Sequence, residues 1–83
     1  MTQMSFNGEQ PIAPARFRLV RWREGYAVED VDALVAKIEA GTATSSEIQN
    51  ARFTPVRIRP GYAMGEVDRY LSNVEAELRA AGR

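Results

Sequence analysis

From Phe17 onward the apolar positions follow two rhythms, and the pair of rhythms occurs twice. In Val20-Arg21-Trp22-Arg23, and again in Val56-Arg57-Ile58-Arg59, apolar and basic residues alternate with period two, as along a half-buried strand. The spacing then lengthens. Val67, Leu71, Val74 and Leu78 are separated by 4, 3 and 4 residues, a single stripe on a helix flanked by Tyr70. Val31, Leu34, Val35 and Ile38 repeat that stripe over a shorter span. Gly25-Tyr26 or Pro60-Gly61-Tyr62 lies between arm and helix and predicts a turn, since proline presets the backbone and glycine admits a positive φ. Glu29, Asp30 and Glu66 fall in the first helical turns, where the helix dipole favours acids.

The two stretches are copies of one unit. Residues 17–40 align with residues 53–76 without a gap at an offset of 36, and 11 of the 24 positions are identical. The identities include Phe17/Phe53, Val20/Val56, Arg21/Arg57, Arg23/Arg59, Gly25/Gly61, Tyr26/Tyr62, Val31/Val67 and Asp32/Asp68. Agreement on that scale, with apolar pairs such as Leu34/Tyr70 and Ile38/Val74 besides, is far beyond chance.

Gly41 stops the first helix and Gly82 the second. Thr44-Ser45-Ser46-Glu47 fits a capping box, which predicts a short helix over 45–51 with Ile48 inward. Residues 1–15, with Gly8, Pro11 and Pro14 and no periodicity, read as a flexible tail. Residues 16–83 then form one domain of two repeats joined by the short helix. The expected class is α+β and mostly helical, in the order strand, helix, short helix, strand, helix. The units are expected to be related by a pseudo-twofold axis, with the arms paired in a two-stranded ribbon. The matched stripes form the core.

The chain has 83 residues, and one that short buries only about 60% of its unfolded surface, so a partner or self-association supplements its stability. Eleven basic residues balance eleven acidic ones, which argues against a nucleic-acid binder defined by bulk charge. The charge is nonetheless polarised. Residues 16–23 carry four arginines and no acid, residues 52–59 carry three and no acid, and residues 24–40 carry five acids against Lys37 alone. Basic arms and acidic helices can pair within the fold or between chains. With no cysteine and no histidine, a disulfide framework, a thiolate metal site, the commonest general base and the strongest nucleophile are all excluded. No phosphate-cradling glycine loop is present, and Asp30/Asp32 lack the spacing of a calcium loop. The expectation is no catalysis, no metal and no cofactor. No signal peptide is read in residues 1–15, and no run of 18 apolar residues occurs, so the expected location is the cytoplasm.

The phrase Ser46-Glu47-Ile48-Gln49-Asn50-Ala51-Arg52-Phe53, followed by Gly61-Tyr62 and then Glu66-Val67-Asp68-Arg69-Tyr70-Leu71, resembles the N-terminal domain of the DivIVA family. The pattern there is a short helix ending in Phe, a loop, Gly-Tyr, and a helix opening with Glu-Val-Asp or Glu-Val-Asn before an aromatic-Leu pair. The second unit matches nearly all of it, and the first matches from Phe17. The resemblance implies a non-catalytic interaction adaptor linked to bacterial cell division or polar envelope growth, at the inner face of the cell membrane. Its implied partners are proteins, a DivIVA-type scaffold or divisome component among them, with homo-oligomerisation a further implication. In the family an apolar-basic pair just before Gly-Tyr touches lipid. Here those positions hold Arg23-Glu24 and Arg59-Pro60, and the nearest apolar residues are Trp22 and Ile58.

Two sets of candidate residues follow. Arg21, Trp22, Arg23, Arg57, Ile58 and Arg59 are candidates for contact with a partner or membrane. Gly25, Tyr26, Gly61 and Tyr62 read as a structural turn motif, the tyrosine packed under the arm. Trp22 has two readings: a core residue of the arm, or an exposed anchor for a lipid headgroup layer or a base. Glu24 and Pro60, standing where a basic anchor would, tilt the reading to the structural case. Trp22 is then buried, and Arg21 and Arg57 pair with Asp32 and Asp68. The alternative function is a peripheral binder of anionic lipid or nucleic acid through the arginine arms.

Overall fold

The computed structural model describes residues 17–83; the tail expected at residues 1–15 lies outside the described residues. The element order is β1 (Leu19–Val20), β2 (Gly25–Ala27), α1 (Val28–Glu39), α2 (Ser45–Gln49), β3 (Pro55–Val56), β4 (Gly61–Tyr62) and α3 (Met64–Ala80). The class is α+β, with about half of the described residues helical. Under the 36-residue offset β1 matches β3, and α1 and α3 start at matching positions, Val28 and Met64.

The sheet differs from expectation. It has four antiparallel strands in the order β1-β4-β2-β3, where a two-stranded ribbon was expected. No strand pairs with another of its own unit. β1 and β2 both run antiparallel to β4 and flank it, through Leu19↔Tyr62 and Val20↔Gly61 on one side and Tyr26↔Tyr62 and Ala27↔Gly61 on the other. β2 pairs with β3 through Gly25↔Val56 and Tyr26↔Pro55. Adding 36 to the first unit's residues, and subtracting it from the second's, turns the β1–β4 register into the β2–β3 register. The Tyr26↔Tyr62 pair maps onto itself. Interleaving explains why each arm is broken: after β1 the chain must return through residues 21–24 to lay β2 on the far side of β4. The period-two alternation of Val20–Arg23 and Val56–Arg59 therefore does not mark continuous strands.

The glycines also differ from expectation. Gly25 and Gly61 are strand residues, and neither has a positive φ. They are small because the strands nearly touch. A Cβ on Gly61 would lie 2.5 Å from Val56 Cγ2 and 2.8 Å from the Tyr26 carbonyl oxygen. One on Gly25 would lie 2.8 Å from the Tyr62 oxygen and 2.9 Å from Val20 Cγ2. Positive φ belongs to Gly41 and Gly82, which close α1 and α3. At each end two backbone bonds form a Schellman pattern: Thr42 N–H to Lys37 O at 2.9 Å with Gly41 N–H to Ile38 O at 3.1 Å, and Arg83 N–H to Leu78 O at 2.7 Å with Gly82 N–H to Arg79 O at 3.1 Å. At α2 the capping box forms. Thr44 Oγ1 accepts from Glu47 N–H at 3.1 Å, and Glu47 Oε1 accepts from Thr44 N–H at 3.0 Å. The helix stops at Gln49, two residues short of the expected end.

Apolar stripes make the core. Val31, Val35, Val67 and Leu71 are buried with Ile48 of α2, and Leu34, Ile38, Tyr70, Val74 and Leu78 pack around them. Val31 and Val67, a matched pair, are fully enclosed. No polar or charged residue is buried among the described residues, so apolar burial is the cohesive term. Aromatic contacts seal the edges in a related way, Phe17 meeting Tyr62 at 5.2 Å and Phe53 meeting Tyr26 at 5.0 Å between ring centroids.

Polar contacts stitch each arm to the other unit's helix. Tyr26 donates its hydroxyl to Asp68 Oδ1 at 2.8 Å, and Tyr62 donates to Asp32 Oδ1 at 2.8 Å. Asp30 accepts the Thr54 backbone N–H at 2.8 Å, and Glu66 accepts that of Arg18 at 2.7 Å. The Asp30 carboxyl is held below the usual range by that backbone bond. Burial, then the hydrogen bond to Asp68, pushes the Tyr26 phenol up to about 12. Burial, then Asp32, also raises Tyr62. A phenol with a raised folded-state value favours folding while neutral. Its contribution is intact below about pH 10, the unfolded value, and is lost as pH rises through about 12. Urea midpoints measured from pH 8 to 12 are expected to fall over that window, and Tyr26→Phe to flatten the fall. An equal fall in Tyr26→Phe would show that the Asp68 bond has no part in it.

Candidate functional site

The two loops that join the strands within each unit, residues 21–24 between β1 and β2 and residues 57–60 between β3 and β4, carry all six candidate contact residues. They touch each other: the Trp22 backbone N–H donates to the Arg57 carbonyl at 2.8 Å. Trp22 reaches that bond with φ at 72°, in the left-handed region, where a bulky residue costs roughly 1–2 kcal/mol. A conformation that uncommon persists only where its surroundings impose it. Trp22 is 71% exposed.

Burial of Trp22 is thus overturned, and its matched residue agrees. Ile58 is 73% exposed, and Leu19 on the edge strand β1 is 57% exposed. These are the large apolar side chains that the described residues leave in water. Two of them, Trp22 and Ile58, stand between arginines. Single exposed apolar residues are ordinary, but matched ones on touching loops, each bracketed by cations, form an amphipathic patch.

The arginines divide. Arg59 forks onto Glu29 with Nη1–Oε1 at 3.2 Å and Nη2–Oε2 at 3.1 Å, and that pairing lowers the Glu29 carboxyl below its ordinary range. Arg18 lies 3.9 Å from Glu66. Arg21, Arg23 and Arg57 make no ion pair among the described residues. The expected pairs Arg21–Asp32 and Arg57–Asp68 are not formed, because both aspartates are turned to tyrosine hydroxyls across the sheet. Gly25, Tyr26, Gly61 and Tyr62 act inside the fold, as strand and clasp in place of a turn.

The sequence did not single out Leu19 as an exposed apolar residue, nor Glu29 as the acid that binds Arg59. The signal for Glu29 was present: it opens an acidic first turn across the sheet from a basic arm. No group of acids that could hold a metal ion is gathered among the described residues, and none of their helices is long and apolar enough to cross a membrane. Comparison with protein-family models, with curated proteins and with solved structures gave no match.

Proposed function

We propose that this chain is a non-catalytic interaction module built from two DivIVA-like units, and that its touching arms set down on an anionic membrane surface. The observation that carries the reading is the exposure of Trp22 and Ile58 at matched positions, each flanked by arginines, with Arg21, Arg23 and Arg57 free of acid partners among the described residues. An apolar side chain at the headgroup boundary and a cation beside it act together: the first adds buried area, the second adds about 1 kcal/mol per residue near the charged surface. A nucleic acid would engage the same cations, but two exposed apolar side chains among them suit a headgroup boundary, which takes up apolar area, better than a phosphate backbone. On this reading the chain is an adaptor at the cytoplasmic face of the membrane. It joins that surface to protein partners connected with cell division or polar envelope growth, the functions that the DivIVA resemblance implies.

Trp22 is the chain's one tryptophan, so its fluorescence reports the patch alone. Titration with vesicles rich in phosphatidylglycerol is expected to shift its emission to the blue, and high salt to reverse the shift. Neutral phosphatidylcholine vesicles should give little change, and Ile58→Ser should weaken the response. No spectral change up to saturating anionic lipid would overturn the membrane reading and leave protein partners as the targets. Retention by duplex DNA with a steep salt dependence, without vesicle binding, would favour the nucleic-acid alternative.

A further inference from the structure

The two arms match in sequence, but their surroundings differ, and Gly65 marks the difference. Under the 36-residue offset Glu29 corresponds to Gly65. Glu29 holds Arg59 in a forked ion pair; Arg23, which corresponds to Arg59, has a glycine at the matching position and makes no ion pair among the described residues. Arg23 and Gly65 line one cleft with Arg18, Val20, Glu66 and Arg69. The second unit's counterparts of Arg18 and Arg69 are Thr54 and Ala33, so the cations gather on the first arm's side. Glu66 in that cleft is already engaged by the Arg18 backbone N–H at 2.7 Å. Glu24 also lines it and makes no ion pair among the described residues.

Nothing in the fold calls for a glycine at position 65. It lies in the first turn of α3, its φ is not positive, and a Cβ there would meet no atom within 4 Å. A glycine within a helix is a net cost to stability relative to alanine. The first loop differs in a second respect too: Trp22 takes the left-handed conformation, and Ile58 does not.

Resting on the membrane reading above, we infer that the arms have diverged in role: Arg21-Trp22-Arg23 is the arm that presses on the anionic surface, and Gly65 leaves Arg23 free to do so. In the second arm the same arginine is a structural tie. Glu29 neutralises Arg59 and fixes it to α1, so that arm contributes Arg57 and the apolar area of Ile58.

Vesicle binding by four full-length variants tests this, with phosphatidylglycerol-rich vesicles and Trp22 emission as the readout. Gly65→Glu supplies Arg23 with the acid that Arg59 has. It is expected to weaken binding about fivefold, the worth of one cation near such a surface. The same change should raise the melting temperature, since it removes a helix glycine and adds an acid to a first turn. Glu29→Gln frees Arg59 and is expected to tighten binding by up to about fivefold. Gly65→Gln controls for size, and Asn73→Glu, on an exposed position of α3, controls for total charge; both should stay within about twofold of the parent. A loss with Gly65→Gln or Asn73→Glu as large as with Gly65→Glu would overturn the inference. So would parent-like binding in both Gly65→Glu and Glu29→Gln, with the membrane reading left standing. If the parent chain itself fails to bind anionic vesicles, the membrane reading falls and takes the inference with it.

Discussion

Leu71→Ala is expected to destabilise the fold by about 2–5 kcal/mol, the range for a truncated core leucine that leaves a cavity. Leu71 sits where three helices meet. It shares the buried cluster with Val31 and Val35 of α1, Ile48 of α2 and Val67 of its own helix. α2 has five residues, too few to persist as a helix unless its one buried side chain is docked. Removing Leu71 therefore loses the transfer free energy of its own side chain and also loosens the seat of Ile48. A domain of this size has little to spare, since native stabilities of about 5–15 kcal/mol scale with length and a short chain falls at the low end. Leu78, one turn beyond Val74 on the same stripe, is only partly buried, and Leu78→Ala should cost distinctly less. Urea denaturation followed by far-ultraviolet circular dichroism measures both. Equal midpoints for the parent and Leu71→Ala would show that the stripe is not the core and would remove the basis for the fold's cohesion.

That stripe was legible because helix periodicity is repeated over many residues. Val67, Leu71, Val74 and Leu78 state it once and Val31, Leu34, Val35 and Ile38 state it again, so the duplicate corroborates the first reading. The helix ends were legible for a local reason. A capping box at Thr44 and Glu47, and glycines at Gly41 and Gly82, act within a few residues of themselves and need no tertiary information. The sheet was not legible in the same way. Its strands are two or three residues long, too short to carry a period, and their partners belong to the other unit. The duplication predicted that two like arms would meet. It did not say that one strand of each would lie between the two strands of the other.

The candidate site shows the same divide. Arginines around Trp22 and Ile58 were visible in the sequence, and the structure places both apolar residues in water beside them. The preference for a buried Trp22 failed because alternation through Val20, Arg21, Trp22 and Arg23 assumes an extended backbone. Residues 21–24 and 57–60 are instead loops between short strands, so Trp22 and Ile58 are both exposed although only Trp22 has a positive φ. Asp32 and Asp68 were matched to arginines on charge alone. Their partners are neutral phenols from across the sheet, which only the interleaved topology brings within 2.8 Å. Long-range pairing of this kind leaves no spacing signal in the chain.

Glycine substitutions turn that topology into a measurement, with one sign at Gly25 and Gly61 and the opposite sign at Gly65. Gly61→Ala is expected to destabilise by about 1–3 kcal/mol or more, the usual cost of forcing extra atoms into a packed interior. Its new methyl would stand 2.5 Å from Val56 Cγ2 and 2.8 Å from the Tyr26 carbonyl oxygen. Valine can yield by turning; the carbonyl belongs to β2, the strand paired with β4, and cannot move without disturbing the ladder. Val56→Ala in the same chain should recover part of the loss but not all of it, giving a non-additive pair as expected for residues in contact. Gly25→Ala, its matched counterpart, meets the Tyr62 oxygen at 2.8 Å and should behave alike. Gly65→Ala, in open space on α3, should instead stabilise by about 0.5–1 kcal/mol, the ordinary gain from replacing a helix glycine. Urea midpoints of the four variants decide the matter. If Gly61→Ala and Gly25→Ala leave the midpoint unchanged while Gly65→Ala raises it, the strands do not approach as closely as the interleaved sheet requires, and the glycines serve some other purpose. A loss at both strand positions, partly repaired by Val56→Ala, ties the identical Gly-Tyr pairs of the two units to the crossing of their arms.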